Sequence, residues 1–258
     1  MEFAARTILY GVALSLVLVL LMEIGRRLGL RRQILDPEGG GGGTGAIEAA
    51  IFALLGLLIA FTFSGAASRF DNRRVLIGEE ANAIGTAWLR VDLLPSAAQG
   101  PVRDAFRRYL DSRLKTYELL PDLEAAYREL DRSRKIQDEI WSLSVKACQE
   151  ADVSQTTMLL LPALNEMIDI TTTRQVATTI HPPIIIYIML VAVASASALM
   201  AGYGMARGKK RSWLHIIVFA AVVAATVYVI LDLEYPWLGL ITLDSADQVL
   251  RDLRATMG

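Results

Sequence analysis

Few residues in this chain have the chemistry to catalyse anything. There are two histidines, His181 and His215, and one cysteine, Cys148, all in different segments. A single cysteine forms no internal disulfide and no cysteine metal cluster. Nucleophile-elbow, zinc-protease, Walker and Cys–His patterns are all missing from the sequence. His181 stands before Pro182-Pro183, where it caps or turns the chain, and His215 follows Trp213 at a membrane entry. An ionisable residue there is a candidate for conduction or pH sensing. The reading is of a protein that is not an enzyme and needs no cofactor or metal.

The groups that remain are charges and small residues at helical spacing. Arg69, Arg73 and Arg74 follow an apolar run and would ring a pore mouth, or else pair with Asp71, Glu79 or Glu80. Glu79, Asn82, Asn165, Asp169 and Arg174 are polar positions on predicted helices, expected to form a network inside a bundle. Asn165 and Asp169, four apart, share a face. Ala49, Ala53, Gly56, Ala60 and Ser64 advance by four, three, four and four, which makes one stripe of small residues on one helix. Helices in lipid pack closely through such stripes. Phe61 and Phe63 stand near the far end of the same run, as lipid or helix contacts or as an apolar constriction.

The elements that position these residues follow from the apolar blocks. The chain has 258 residues, 53% of them hydrophobic, with net charge −1 and pI about 6.2. That balance gives no electrostatic footprint for nucleic acid. The central stretch runs from Gly45 to Asp92 without a proline. Ala46 to Ser64 is long and apolar enough to cross a bilayer, which takes about 20 residues. The following segment is charged, with Phe70, Val75, Ile77, Ala81, Ile84, Trp88 and Leu89 at helical spacing, so one helix is expected to leave the membrane and continue into water.

Thr7 to Met22 is a first membrane segment, read as a permanent helix because Arg6 alone precedes it and no small-x-small cleavage site follows. Asp36 to Gly45 holds five consecutive glycines and reads as a hairpin linker; no GKS/T follows to make a phosphate loop. Pro95 to Ile180 is soluble and helical: Ala105 to Leu119, Leu123 to Val145 and a helix from Ser154, with Pro95, Pro101 and Pro121 as breaks. Ile184 to Gly204 and Trp213 to Leu231 are the third and fourth membrane segments, joined by Arg207, Lys209, Lys210 and Arg211. Asp232, Glu234 and Pro236 end the fourth. The tail from Ser245 carries Val249, Leu250, Leu253 and Met257 on one face of a short amphipathic helix.

The expected fold is all-α: four transmembrane helices with a helical bundle inserted between the second and third. The expected divisions are 1–66 (helices one and two with the Gly-rich loop), 67–182 (soluble domain), 183–232 (helices three and four) and 233–258 (tail). Arg26, Arg27, Arg31 and Arg32 after the first segment, with the basic turn after the third, favour short loops in the cytoplasm and a helical domain outside.

The strings LLGLLIAFTFSGAASRFDNRR, EEANAIGTAWLR, LLPALNEMIDITTTR and PWLGLI resemble the bacterial bestrophin-like family, over nearly the whole chain. That family is more distantly similar to the bestrophins, pentameric anion channels with four membrane helices. The resemblance implies a homo-oligomer, a pentamer by analogy, in the bacterial inner membrane, with the second helix lining a pore for inorganic anions. Arg69-Phe70 and Arg73 look like the arginine-aromatic-arginine pattern after the bestrophin neck, which makes Ile59, Phe61 and Phe63 the neck candidates. The resemblance also implies a cytoplasmic helical domain, against the loop charges, and no acidic cluster here looks like a calcium clasp. The alternative function is a membrane-anchored interaction or sensory module without a pore.

Overall fold

The computed structural model describes residues 2–35, 44–150, 154–206, 212–236 and 239–258. The glycine run of the expected linker and the basic turn from Arg207 to Arg211 lie outside the described residues. The described helices are α1 (Glu2–Leu35), α2 (Thr44–Arg90), α3 (Ser96–Glu118), α4 (Leu123–Glu150), α5 (Ser154–Thr179), α6 (Ile184–Met205), α7 (Trp213–Glu234) and α8 (Asp244–Thr256). A 3-10 turn, Val91–Leu93, follows α2. No strand occurs among the described residues, and four helical stretches are long and apolar enough to cross a membrane. The chain is thus an all-helical, multi-pass membrane protein. It divides into two compact units, Met1–Ser68 with His181–Tyr235, and Arg69–Ile180 with Pro236–Gly258.

In the first unit α1, the first half of α2, α6 and α7 carry apolar residues almost all round, as helices in lipid do. Its core holds Leu18, Met22, Leu55, Leu190, Ala194, Ala198, Ile216, Ala220 and Val223. α1 and α6 touch backbone to backbone. A Cβ added at Gly25 would run into the Leu199 carbonyl, and one at Gly202 into the Met22 carbonyl. Gly29 meets Tyr203 and Ala206 in the same way. Small residues at a seam let two helices approach to this distance in lipid. α1 is longer than the expected segment: the helix continues through Arg26, Arg27, Arg31 and Arg32, which are helical residues and not loop.

The second unit surrounds one apolar core. It includes Ile77, Ala81, Ile84, Ala87 and Val91 from the end of α2, Phe106, Tyr109 and Leu110 from α3, Ile136 and Ile140 from α4, and Leu160, Leu164 and Met167 from α5. The tail joins this core through Leu243, Leu250 and Met257. Arg107 Nε donates to the Met257 carbonyl at 2.8 Å and Arg254 pairs with Asp111 at 2.7 Å, so α8 is docked on α3. Pro101 does not break the chain: it sits inside α3, near the start, where it leaves out one intrahelical donor. Pro162 lies inside α5 on an exposed edge. The fourth span ends at Glu234, as expected, but Asp232 and Glu234 fall in the last turn of α7 and are buried.

Candidate functional site

The membrane part of α2 has two distinct edges. Glu48, Phe52, Leu55, Ile59, Thr62 and Ala66 advance by four and three, and all are partly or wholly buried. Phe52 meets Phe219 of α7 edge-on at 6.0 Å, and Leu55 is fully packed. This edge anchors α2 to the unit. The small-residue stripe, Ala49, Ala53, Gly56, Ala60 and Ser64, is exposed at every position. Nothing lies within 4 Å of a Cβ added at Gly56. With about 100° of rotation per residue, the two edges are roughly 120° apart around the helix.

The three neck candidates do not share a direction. Residues two apart on a helix project about 200° apart. Ile59 is half-buried on the anchored edge. Phe61, 68% exposed, points away from that edge. Phe63, 42% exposed, lies between the anchored edge and the small-residue stripe. Ile59, Phe61 and Phe63 therefore cannot all face one axis: Ile59 and Phe63, four apart, lie on one side of α2 and Phe61 on the other.

The arginine set also divides. Arg73 is 3% exposed, with Nε donating to the Ala177 carbonyl at 3.1 Å and Nη2 to the Ile180 carbonyl at 3.3 Å. It caps the end of α5, where a cation meets the unsatisfied carbonyls and the negative end of the helix dipole. Arg74 is exposed and 3.5 Å from Asp71, and Arg69 is half-buried.

The expected polar network is displaced by one residue on α2. Glu79, Asn82, Asn165 and Asp169 do not reach the buried cluster, and only Arg174 of the five is buried. The buried acid is Glu80, at 0% exposure. Arg113 Nε donates to its Oε1 at 2.6 Å, and Arg174 Nη1 pairs with its Oε2. Arg174 Nη2 continues to Asp247 Oδ1 at 3.0 Å, and its guanidinium lies 4.1 Å over the Tyr117 ring. Arg113 Nη2 donates to the Tyr117 hydroxyl at 2.8 Å. Two arginines and two carboxylates from α2, α3, α5 and α8 thus form one charge-balanced buried cluster. Burial alone would raise the Glu80 carboxyl, but the two arginines outweigh it and hold it down to about 2. For Asp247 burial prevails over Arg174 and the carboxyl is pushed up.

Helical register carried the signal for Glu80. Arg73, Ile77, Glu80, Ile84, Ala87 and Val91 lie on one buried edge, whereas Val75 and Leu89, expected on the apolar face, are exposed. His181 is 3.3 Å from Glu234 and stacked on Tyr235 at 4.6 Å, and His215 contacts Ser212 at an exposed position. No group of three or more His, Cys, Asp or Glu side chains that could hold a metal occurs among the described residues.

Comparison with known proteins places this geometry in a family. Residues 44–247 match the bestrophin-like domain. The chain belongs to the bestrophin-like family. A crystal structure of a mutant bacterial bestrophin homolog from Klebsiella pneumoniae is similar, with a TM-score of 0.67 at 16% identity. The alignment covers 93% of this bestrophin-like chain and 98% of that one, so the two share a fold from end to end. No protein of curated function matches the chain.

Proposed function

We propose that this bestrophin-like chain assembles with copies of itself into an ion channel, favouring anions, whose pore is lined by α2. The observation that carries the reading is the uncovered stripe from Ala49 to Ser64 on a helix whose other edge is anchored. A row of small residues lets neighbouring helices approach closely in lipid, and copies of the same helix around an axis would supply the neighbours. Five copies is the number the family likeness implies. Phe63, beside the stripe, would then project towards the axis as the constriction, where an apolar ring gates by dewetting. Phe61 would face outward. Arg69 and Arg74 would concentrate anions at the mouth, while Arg73 serves α5.

In this reading the second compact unit is a helical bundle inserted between the second and third spans. The basic residues that flank the ends of the first and third apolar runs support placing it outside the cytoplasm. Protease protection in sealed vesicles tests that placement, and cleavage of the bundle from the cytoplasmic side alone would reverse it. Subunit number tests the assembly. Native mass spectrometry of detergent-purified protein is expected to give a closed ring of five. A monomer or dimer leaves too few α2 helices to enclose an axis, and the chain would then be a membrane-anchored interaction module.

A further inference from the structure

The outer ridge of α1 is the residue set the channel reading leaves unused. Opposite the Gly25–Gly29 seam, Leu9, Leu16, Leu20, Ile24, Arg27, Arg31 and Ile34 follow one another at helical spacing and all are exposed. Roughly 20 residues cross a bilayer core, whereas α1 has 34. The apolar run ends at Met22, so Arg27 and Arg31 fall where phospholipid headgroups begin. Ile34 is exposed beyond them on the same ridge.

The four arginines here are not equivalent. Arg27 is 2.9 Å from Glu23, and Arg32 donates to the Tyr203 hydroxyl at 3.1 Å. Arg31 is exposed, with no hydrogen bond or ion pair to any described residue. Arg26, on the flank, has its Nε buried and without a hydrogen-bond partner among the described residues. Against one acid, Glu23, the segment from Glu23 to Arg32 carries four arginines, so it holds an excess of three positive charges. The exposed guanidinium groups of Arg27 and Arg31, four residues apart on one ridge, offer their donors to oxygen ligands from outside the chain.

We propose that α1 carries a binding site for an anionic phospholipid, with the headgroup phosphate held by Arg27 and Arg31 beside Arg26 and an acyl chain lying along Leu16, Leu20 and Ile24. Guanidinium forks match phosphate oxygens, and the apolar ridge covers the chain that a soluble anion lacks. Glu23 competes with the phosphate for Arg27.

The test uses the full-length protein in nanodiscs of dioleoyl-phosphatidylcholine and dioleoyl-phosphatidylglycerol in equal parts, with the retained lipids counted by native mass spectrometry. The natural chain is expected to retain phosphatidylglycerol in preference. Each of Arg27→Gln and Arg31→Gln should lower that preference about fivefold, the effect of one arginine at an anionic surface. Glu23→Gln should raise it, a response that lost folding cannot imitate. Arg128→Gln, an exposed arginine of the second unit, should leave it unchanged. Equal retention of both lipids by the natural chain, a preference that survives the double Arg27→Gln/Arg31→Gln change, or displacement of the lipid by millimolar inorganic phosphate would each overturn the proposal.

Discussion

Glu80 and Glu79 are chemically identical neighbours with opposite fates. A step of about 100° turns Glu79 away from the core and puts Glu80 between two guanidinium groups. Removing one partner of a buried ionic cluster leaves uncompensated charge, typically a loss of about 3–5 kcal/mol. Glu80→Ala is therefore expected to lower stability by that amount in thermal melts followed by circular dichroism. Glu79→Ala should stay within about 0.5 kcal/mol, the usual range for surface changes. The same carboxyl sets an acid limit. Its folded value, about 2, lies below the ordinary 4.5, so its contribution is complete above 4.5 and is lost as pH falls towards 2. Asp247, pushed up by burial, works the other way and recovers stability on protonation. Melting temperature measured from pH 5 down to 2.5 should fall in the natural chain and fall less in Glu80→Gln. The class of residue at this site was readable in the sequence, and so was Arg174. The choice between adjacent acids was not, because it depends on the buried register Ile77–Glu80–Ile84, and Val75 and Leu89 pulled the apparent apolar face sideways.

At the scale of elements, glycines mark which helices touch and which wait. Gly202→Val would force α1 and α6 apart along backbone that is already in contact. It is expected to abolish the monodisperse peak in detergent size-exclusion chromatography, while Gly11→Val, where nothing lies within 4 Å, should leave that peak intact. Gly56→Leu separates fold from assembly. The single chain has room for the side chain, so secondary structure should persist while the oligomer is lost or shrinks in the same measurement. The stripe on α2 was legible because its steps of four and three stand out in an apolar run. The α1–α6 seam was not, because Gly25 and Gly29 alternate with arginines and read as a loop. The structure carries α1 through this stretch, sets Gly25 and Gly29 against the backbone from Leu199 to Ala206, and leaves Arg27 and Arg31 on the outer ridge.

For the whole molecule, four apolar blocks and the charged segments between them were enough to give an all-helical membrane protein, and the bestrophin-like match over 44–247 agrees. The tail was less legible. Its amphipathic face fits a membrane surface as well as a neighbour, and the Arg254–Asp111 and Arg107–Met257 contacts that decide it join residues 143 and 150 positions apart. The candidate neck residues illustrate a simpler point: aromatic residues two apart look like a cluster in a string but project to opposite sides of a helix. That geometry makes the channel account testable at two neighbouring positions. Purified protein in a planar bilayer under a chloride gradient should carry current that reverses near the chloride potential. Phe63→Ala should raise the unitary current and Phe61→Ala should leave it unchanged. No current from the natural chain, or a current widened by Phe61→Ala and not by Phe63→Ala, would contradict a pore lined by this edge of α2.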